Sequence, residues 1–236
     1  MEPLLTELVE KLKSAFDNRL TSVILYGSAA GGDHHGRYSD LNVLCVLTRI
    51  TPRELGDSEP IFKWWRDQRN PAPLLLTGTE VRTSTDCFPI EFQDMKERRH
   101  VLYGEDVIAD LAIDRSFYRA QVEHDFRTKL LRLRQQAAQV LSKSDALLSL
   151  CLDSVSTFCV LGRHALLLAG VEAKWPKRDV VRQLGEMVGI DTAPFNTLLD
   201  IREEKKTRRE VEAGSLFEEY LNQIQTMVEF VDRLDK

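Results

Sequence analysis

The sequence predicts an α+β protein in which strands and helices alternate in the first half and helices alone make up the second. Two apolar runs of strand length, rich in Val, Ile and Leu, occupy residues 23–26 and 41–47. From residue 114 onward the apolar residues recur every three and four positions, which is typical of helices. We therefore predict two domains, 1–113 and 114–236.

Composition limits the kind of partner and compartment to expect. The net charge is −5, and Lys and Arg are interleaved with acids, so the sequence predicts no broad basic face and makes nucleic acid an unlikely partner. The first residues lack the pattern of a signal peptide and no continuous apolar run is long enough to span a membrane, so we expect a cytoplasmic protein without a membrane partner. The four cysteines have neither disulfide nor metal-site spacing, so we expect reduced, mostly buried thiols.

The first half begins with an amphipathic helix over residues 3–17, whose apolar side recurs at helical spacing. After the two strands, Thr51 and Pro52 read as the start of a helix that ends before Asn70. A short strand is predicted over 73–77, and a turn with a helical segment over 78–85.

Residues 88–95 are predicted to form a further strand. Ile90 and Phe92 would then share the buried face while Glu91 lies on the other. On that interpretation Asp94 points away from Glu91, and the segment after it, 101–106, is predicted to be a turn.

The second half is predicted to be a bundle of about five helices. Their expected starts are a cap at Asp114, a cap at Ser144, a helix after Pro176, a start at Asp191 and a capping box beginning at Ser215. Gly170 is placed just beyond the end of the second of these helices.

The most informative stretch joins the two apolar strands through a glycine-rich polar segment. It begins with Gly27 and Ser28 and ends with a carboxylate at Asp40. Because side chains alternate along a strand, Asp40 and Asn42 should point the same way while Leu41 points into the core. A pair of polar side chains is therefore expected beside a glycine loop.

These residues resemble the signature of the nucleotidyltransferase fold of the DNA polymerase β superfamily, in the branch of kanamycin-type antibiotic nucleotidyltransferases and minimal nucleotidyltransferases. The pattern of that family is Gly-Ser, about ten residues, then Asp-x-Asp or Asp-x-Glu. This chain has Gly27-Ser28 and then Ser39-Asp40-Leu41-Asn42, and it departs from the pattern at Asn42. The resemblance implies an N-terminal mixed-sheet nucleotidyltransferase domain followed by an all-α helical bundle, which itself resembles, more loosely, the bundles of minimal nucleotidyltransferases.

The resemblance also implies a nucleoside triphosphate, with ATP as the expected one, and Mg²⁺ or Mn²⁺ as cofactors. In that family a third carboxylate lies on a later strand, which points to Glu91. The expected catalytic residues are Asp40 and Glu91, with Glu91 as the general base. The expected metal ligands are Asp40, Asn42 and Glu91. The expected phosphate-binding residues are Gly27, Ser28, Arg37 and Ser39.

Asn42 leaves two hypotheses open. An amide oxygen can ligate Mg²⁺ but brings no negative charge, so one metal site should be weakened. Either the protein transfers a nucleoside monophosphate to a hydroxyl of a small molecule or protein, or it is a catalytically degenerate nucleotide-binding module with a regulatory or toxin–antitoxin-like role. Asp33, Asp86 and Asp94 are the other acids considered as a replacement, and none is singled out by the pattern. A homodimer also remains open.

Overall fold

A computed structural model describes residues 1–32 and 41–234 of the chain. The chain divides into two compact units, Met1–Phe117 and Tyr118–Lys236, called here the N-terminal and C-terminal units. The N-terminal unit contains a sheet and helices, whereas the C-terminal unit is helical. The predicted α+β class is therefore confirmed.

Within the described residues, the sheet of the N-terminal unit has four strands. They are β1 (Leu20–Tyr26), β2 (Asn42–Leu47), β3 (Leu74–Thr77) and β4 (Arg99–Gly104). Their spatial order is β3-β2-β1-β4, with β2 and β3 parallel and the other pairs antiparallel. The sheet is thus mixed, and its two apolar strands lie in the centre.

Helices cover both faces of this sheet. They are α1 (Glu2–Phe16), α2 (Pro52–Asp67), α3 (Gly78–Thr83) and α4 (Pro89–Glu97). On one face, residues such as Leu25 and Val43 pack with α1 and α2 in a large apolar cluster that includes Trp65. On the other face, Ile24 and Leu44 pack with α4 and with the stretch 107–113 in a smaller cluster.

The start of α2 is the predicted one and has a clear local cause. Pro52 occupies its first helical position, where a missing N–H costs nothing. Thr51 and Glu54 form a capping box in which each side chain accepts a hydrogen bond from backbone at the helix start.

The predicted strand over residues 88–95 is wrong. Pro89 begins α4 instead, where Phe92 and Met95 are buried in the smaller apolar cluster and Ile90 is buried as well. The strand follows it as β4, where only a turn was predicted. Because β4 is an edge strand and opens with Arg99 and a half-exposed face, its sequence lacks the apolar alternation that identifies a central strand.

Glu54 also links α2 to Arg19, the residue directly before β1. The guanidinium of Arg19 lies 2.5 Å from Glu54 Oε1 and 3.0 Å from Asp57 Oδ2. The hydroxyl of Thr51 donates to Glu54 Oε2 at 2.5 Å. The hydrogen bond from Thr51, followed by that from Arg19, lowers the pKa of Glu54 from 4.5 to about 2.

Replacing Glu54 with glutamine should make the free energy of unfolding depend less on pH in the acid range. A carboxyl whose pKa falls on folding stabilises the protein fully above its unfolded-state pKa of 4.5, and this contribution is lost as the pH falls toward 2. We expect the difference in free energy of unfolding between wild type and Glu54→Gln, measured by urea denaturation, to shrink across that window. Glu59→Gln, an exposed change on the same helix, serves as the control, and parallel wild-type and Glu54→Gln curves would contradict the prediction.

The C-terminal unit has five helices in its described part, as predicted. They are α5 (Tyr118–Val140), α6 (Ser144–Leu168), α7 (Lys177–Val188), α8 (Ala193–Arg202) and α9 (Ala213–Arg233). Helix α6 is central and packs against the other four. By length and composition alone α6 could cross a membrane, but half of its apolar stretch is buried inside the protein.

Three of the predicted helix caps are wrong in detail. Asp114 accepts a hydrogen bond from the N–H of Ser116 in a turn before α5, rather than capping the helix. Ser144 is the first helical residue of α6 instead of its cap. The last helix begins two residues before Ser215, because Glu212 accepts hydrogen bonds from the amides of its first turn.

The cysteines follow the expectation. All four are free, and Cys45, Cys151 and Cys159 are buried while Cys87 is exposed. Burial raises the pKa of Cys45 to about 12, so this thiol stays protonated at neutral pH.

Candidate functional site

The predicted site residues divide into those the structure describes and those it does not. Arg37, Ser39 and Asp40 lie outside the described residues. The other four are described. Gly27 and Ser28 directly follow β1, Asn42 begins β2, and Glu91 lies on α4.

Gly27 directly follows β1 and has a conformation that suits glycine. Its φ of 79° and ψ of −152° lie where L side chains are strained. A Cβ built on Gly27 would lie 3.5 Å from Asn42 Nδ2, so the amide of Asn42 lies directly beside this glycine. Ser28 begins a short 3₁₀ turn, Ser28–Gly31, immediately after it.

Asn42 lies on the face of the sheet that α4 covers. It is the cross-strand partner of Tyr26. Because side chains alternate, Asn42 shares its face with Leu44, which belongs to the same buried apolar cluster as Phe92 of α4. Leu41, in contrast, is buried in the cluster on the opposite face, as predicted.

Glu91 reaches the same region from a helix rather than from a strand. Burial, and then the negative charges of Glu91 and Asp94, raise the pKa of the Tyr26 hydroxyl. Both carboxylates therefore lie close enough to Tyr26 to act on it electrostatically. Tyr26 pairs with Asn42 and directly precedes Gly27, so Glu91 lies on the face of the sheet that Asn42 shares and near the same end of it.

Asp94 lies on the same side of α4 as Glu91, whereas the predicted strand would have pointed the two side chains apart. On a strand it would point away from Glu91, but on α4 the two residues are three positions apart and lie on one side of the helix. Their shared effect on Tyr26 agrees with that placement. Asp94 is therefore a second carboxylate at this end of the sheet.

Polar contacts fix α4 in place over the sheet. Gln93 Oε1 accepts a hydrogen bond from Arg115 at 3.0 Å, and the ammonium of Lys96 donates to the carbonyl oxygen of Leu111. Both contacts fasten the stretch after β4 to the helix. The contacts of Gln93 and Lys96 with the stretch after β4 thus help to set the position of Glu91.

A buried asparagine supports the beginning of β2. Asn70, 8% exposed, accepts a hydrogen bond at its Oδ1 from the N–H of Leu41 at 3.4 Å. This contact holds the backbone directly after Asp40. Sequence reasoning treated Asn70 only as a helix terminator, because nothing local indicates a contact 29 residues away.

The oxygen donors present here suit a hard cation such as Mg²⁺. Asn42 offers an amide oxygen, and Glu91 and Asp94 offer carboxylates. Within residues 1–32 and 41–234, no three His, Cys, Asp or Glu side chains are close enough to hold a metal ion by themselves. The donor chemistry fits Mg²⁺ provided that further ligands come from outside this set.

The C-terminal unit holds a separate buried polar pair on α6. Arg163 and His164 are both buried. The guanidinium of Arg163 stacks 3.7 Å from the ring centroid of Trp175, and the Tyr118 hydroxyl lies 2.5 Å from His164 Nδ1. These contacts tie α6 to the start of α5 and to the loop before α7.

The N-terminal unit has a mixed sheet with a glycine turn and a polar strand start at one end, and a helical unit follows it in the chain. Together they have the nucleotidyltransferase fold. The crystal structure of spectinomycin adenyltransferase AAD(9) from Enterococcus faecialis with ATP and spectinomycin superimposes with a TM-score of 0.60. The two sequences are 14% identical, and the match covers 93% of this chain and 98% of that one. No family model and no curated protein sequence matches the chain. The resemblance to nucleotidyltransferase-fold proteins is thereby confirmed at the level of the fold.

Proposed function

We propose that the protein binds a nucleoside triphosphate, ATP being the expected one, together with Mg²⁺ or Mn²⁺, and transfers the nucleoside monophosphate to a hydroxyl of a small molecule or protein. The observation that carries the proposal is the fold shared with an adenyltransferase that was crystallised with ATP. The position of Gly27 beside Asn42, with Glu91 on the helix that covers the same face of the sheet, supports it. In this proposal residues 1–113 form the nucleotidyltransferase domain and 114–236 the helical domain, and the protein acts in the cytoplasm.

The phosphates would lie against the turn after β1. Gly27 has no side chain to keep the backbone away from a phosphate, and Ser28 offers an amide and a hydroxyl as donors. Arg37 and Ser39 are the further donors expected from the sequence. Together these groups would bind and orient the triphosphate.

The metal would be held by Asp40, Asn42 and Glu91, with Asp94 close by. When bound, Mg²⁺ neutralises phosphate charge and stabilises the attacking and leaving oxygens. Glu91 would accept the proton of the acceptor hydroxyl at its carboxylate. Asp94, on the same side of α4, adds negative charge that partly offsets the neutral side chain at Asn42.

A second candidate function follows from Asn42 itself. This amide stands beside Gly27 where the resembled family has an acid, so the site attracts a second cation less strongly. A triphosphate that carries its own Mg²⁺ could still bind. The alternative is therefore a nucleotide-binding regulatory or toxin–antitoxin-like interaction module that does not transfer.

Label transfer separates the two functions. The protein is incubated with each α-labelled ribonucleoside triphosphate, with Mg²⁺ or Mn²⁺, and with hydroxyl acceptors that include the protein itself. Transfer that is abolished in Asp40→Asn but retained in Asp67→Asn, an exposed change at the end of α2, supports the enzyme. Binding without transfer supports the alternative, and failure to bind any of the four triphosphates would contradict both.

A further inference from the structure

Arg98 is fixed at the junction of α4 and β4 by its own backbone. Its N–H donates to the carbonyl oxygen of Asp94 at 2.9 Å, which closes the end of the helix. Its carbonyl oxygen accepts a hydrogen bond from the N–H of Gly27 at 3.1 Å. Arg98 is therefore attached directly to the first residue of the glycine turn.

The side chain of Arg98 lies on that turn as well. A Cβ built on Gly31 would lie 2.1 Å from Arg98 Nη1 and 2.6 Å from Cζ. Atoms cannot approach so closely, so the guanidinium occupies the space that any side chain at position 31 would need. Gly31 thus makes room for a cation on the surface of the Ser28–Gly31 turn.

We propose that Arg98 binds the phosphates of the nucleotide, a role that rests on the proposed function. A guanidinium is always charged and presents a planar set of donors that matches phosphate oxygens. Its backbone is anchored on both sides, so the charge is positioned without ordering a free loop. Glu91 and Asp94 supply negative charge for a metal near Tyr26, and Arg98 supplies positive charge at the adjoining turn for the anion.

Replacing Arg98 with alanine tests the role through the difference between charged and uncharged ligands. We expect the affinity for ATP, measured by isothermal titration calorimetry in Mg²⁺, to fall about 10- to 100-fold, the usual effect of losing a hydrogen bond to a charged group. The affinity for adenosine, measured in the same way, should change less than about twofold, since it has no phosphate. Arg53→Ala, which removes an exposed arginine from α2, is the matched control and should bind ATP as the wild type does.

Gly31→Ala provides a second and independent test that keeps Arg98 in the chain. The added methyl would displace the guanidinium, so we expect a loss of ATP affinity in the same direction as Arg98→Ala. In the Arg98→Ala background the obstruction is gone, and Gly31→Ala should then cost almost nothing. A double-mutant cycle over these variants should therefore be strongly non-additive.

The possible outcomes are distinct. If the wild type binds none of ATP, GTP, CTP and UTP, the proposed function fails and the role of Arg98 fails with it. If the wild type binds ATP and Arg98→Ala binds it equally well, only the role of Arg98 is overturned. Equal losses for ATP and adenosine would also overturn it, because they would indicate a purely structural residue. If Arg98→Ala does not fold, Gly31→Ala and Arg98→Lys, which keeps the charge without the planar fork, decide the question by the same comparison.

Discussion

Replacing Asn42 with aspartate is expected to raise the rate of nucleotidyl transfer about 100-fold or more, the scale on which one electrostatic group at a reaction centre acts. The substitution is nearly isosteric, so the side chain should keep its place beside Gly27. It adds a negative charge beside the carboxylates that act on Tyr26. A divalent cation should then be held more tightly. The measurement is the initial rate of label transfer from α-labelled ATP as a function of Mg²⁺ concentration.

The same substitution should make thermal stability depend on the metal. Without a divalent cation, the third negative charge near Glu91 and Asp94 should lower the melting temperature, and Mg²⁺ should restore it by binding the folded state. Asn18→Asp, an exposed change before β1, should show neither effect. If Asn42→Asp neither gains transfer nor responds to Mg²⁺, Asn42 is not a metal-site position.

Replacing Gly104 with alanine is expected to lower the free energy of unfolding of the N-terminal unit by about 3 kcal/mol or more, because backbone strain and overpacking each cost about 1–3 kcal/mol. Gly104 ends β4 with a φ of 76°, which L residues rarely adopt. A Cβ there would also lie 2.0 Å from the carbonyl oxygen of Thr21. This obstacle is backbone in the neighbouring strand β1, so a rotamer change cannot relieve it. Chemical denaturation followed by circular dichroism measures the loss.

Gly32→Ala separates the two contributions. Gly32 has a similar φ of 83°, but a Cβ at that position would meet nothing within 4 Å. Gly32→Ala should cost only the conformational penalty of a left-handed residue, about 1–2 kcal/mol. Equal losses of unfolding free energy for Gly104→Ala and Gly32→Ala would show that the close approach of β4 to β1 does not limit the size of the residue at position 104.

The sequence is a good guide to the fold where local and tertiary preferences agree. The strands β1 and β2 are continuous apolar runs because both faces of the sheet are covered, and Thr51 with Glu54 carries its own helix signal. The region from Pro89 to Gly104 misleads for the opposite reason. In α4, Ile90 and Phe92 alternate with polar residues in a way that is typical of a strand. Strand β4 is a polar edge strand without the apolar alternation of a central one.

The candidate site is less predictable because its members come from distant parts of the chain. Gly27 and Asn42 are found from one short pattern. Glu91 is found only through a resemblance, and it is placed on the wrong kind of element. Nothing near Arg98 in the sequence distinguishes it from other arginines, since its significance depends on the packing of the α4–β4 junction against Gly31.

The helices on the two faces of the central sheet should differ in how easily they unfold locally. The cover formed by α1 and α2 rests on the larger apolar cluster, whereas α4 rests on the smaller one and is fastened by polar contacts such as that between Gln93 and Arg115. Local unfolding follows the apolar area that must be exposed. Amide protons of α4 should therefore exchange with solvent through smaller fluctuations than those of α1. The helix that carries Glu91 is thus the part of the sheet's covering best able to adjust its position when a ligand arrives.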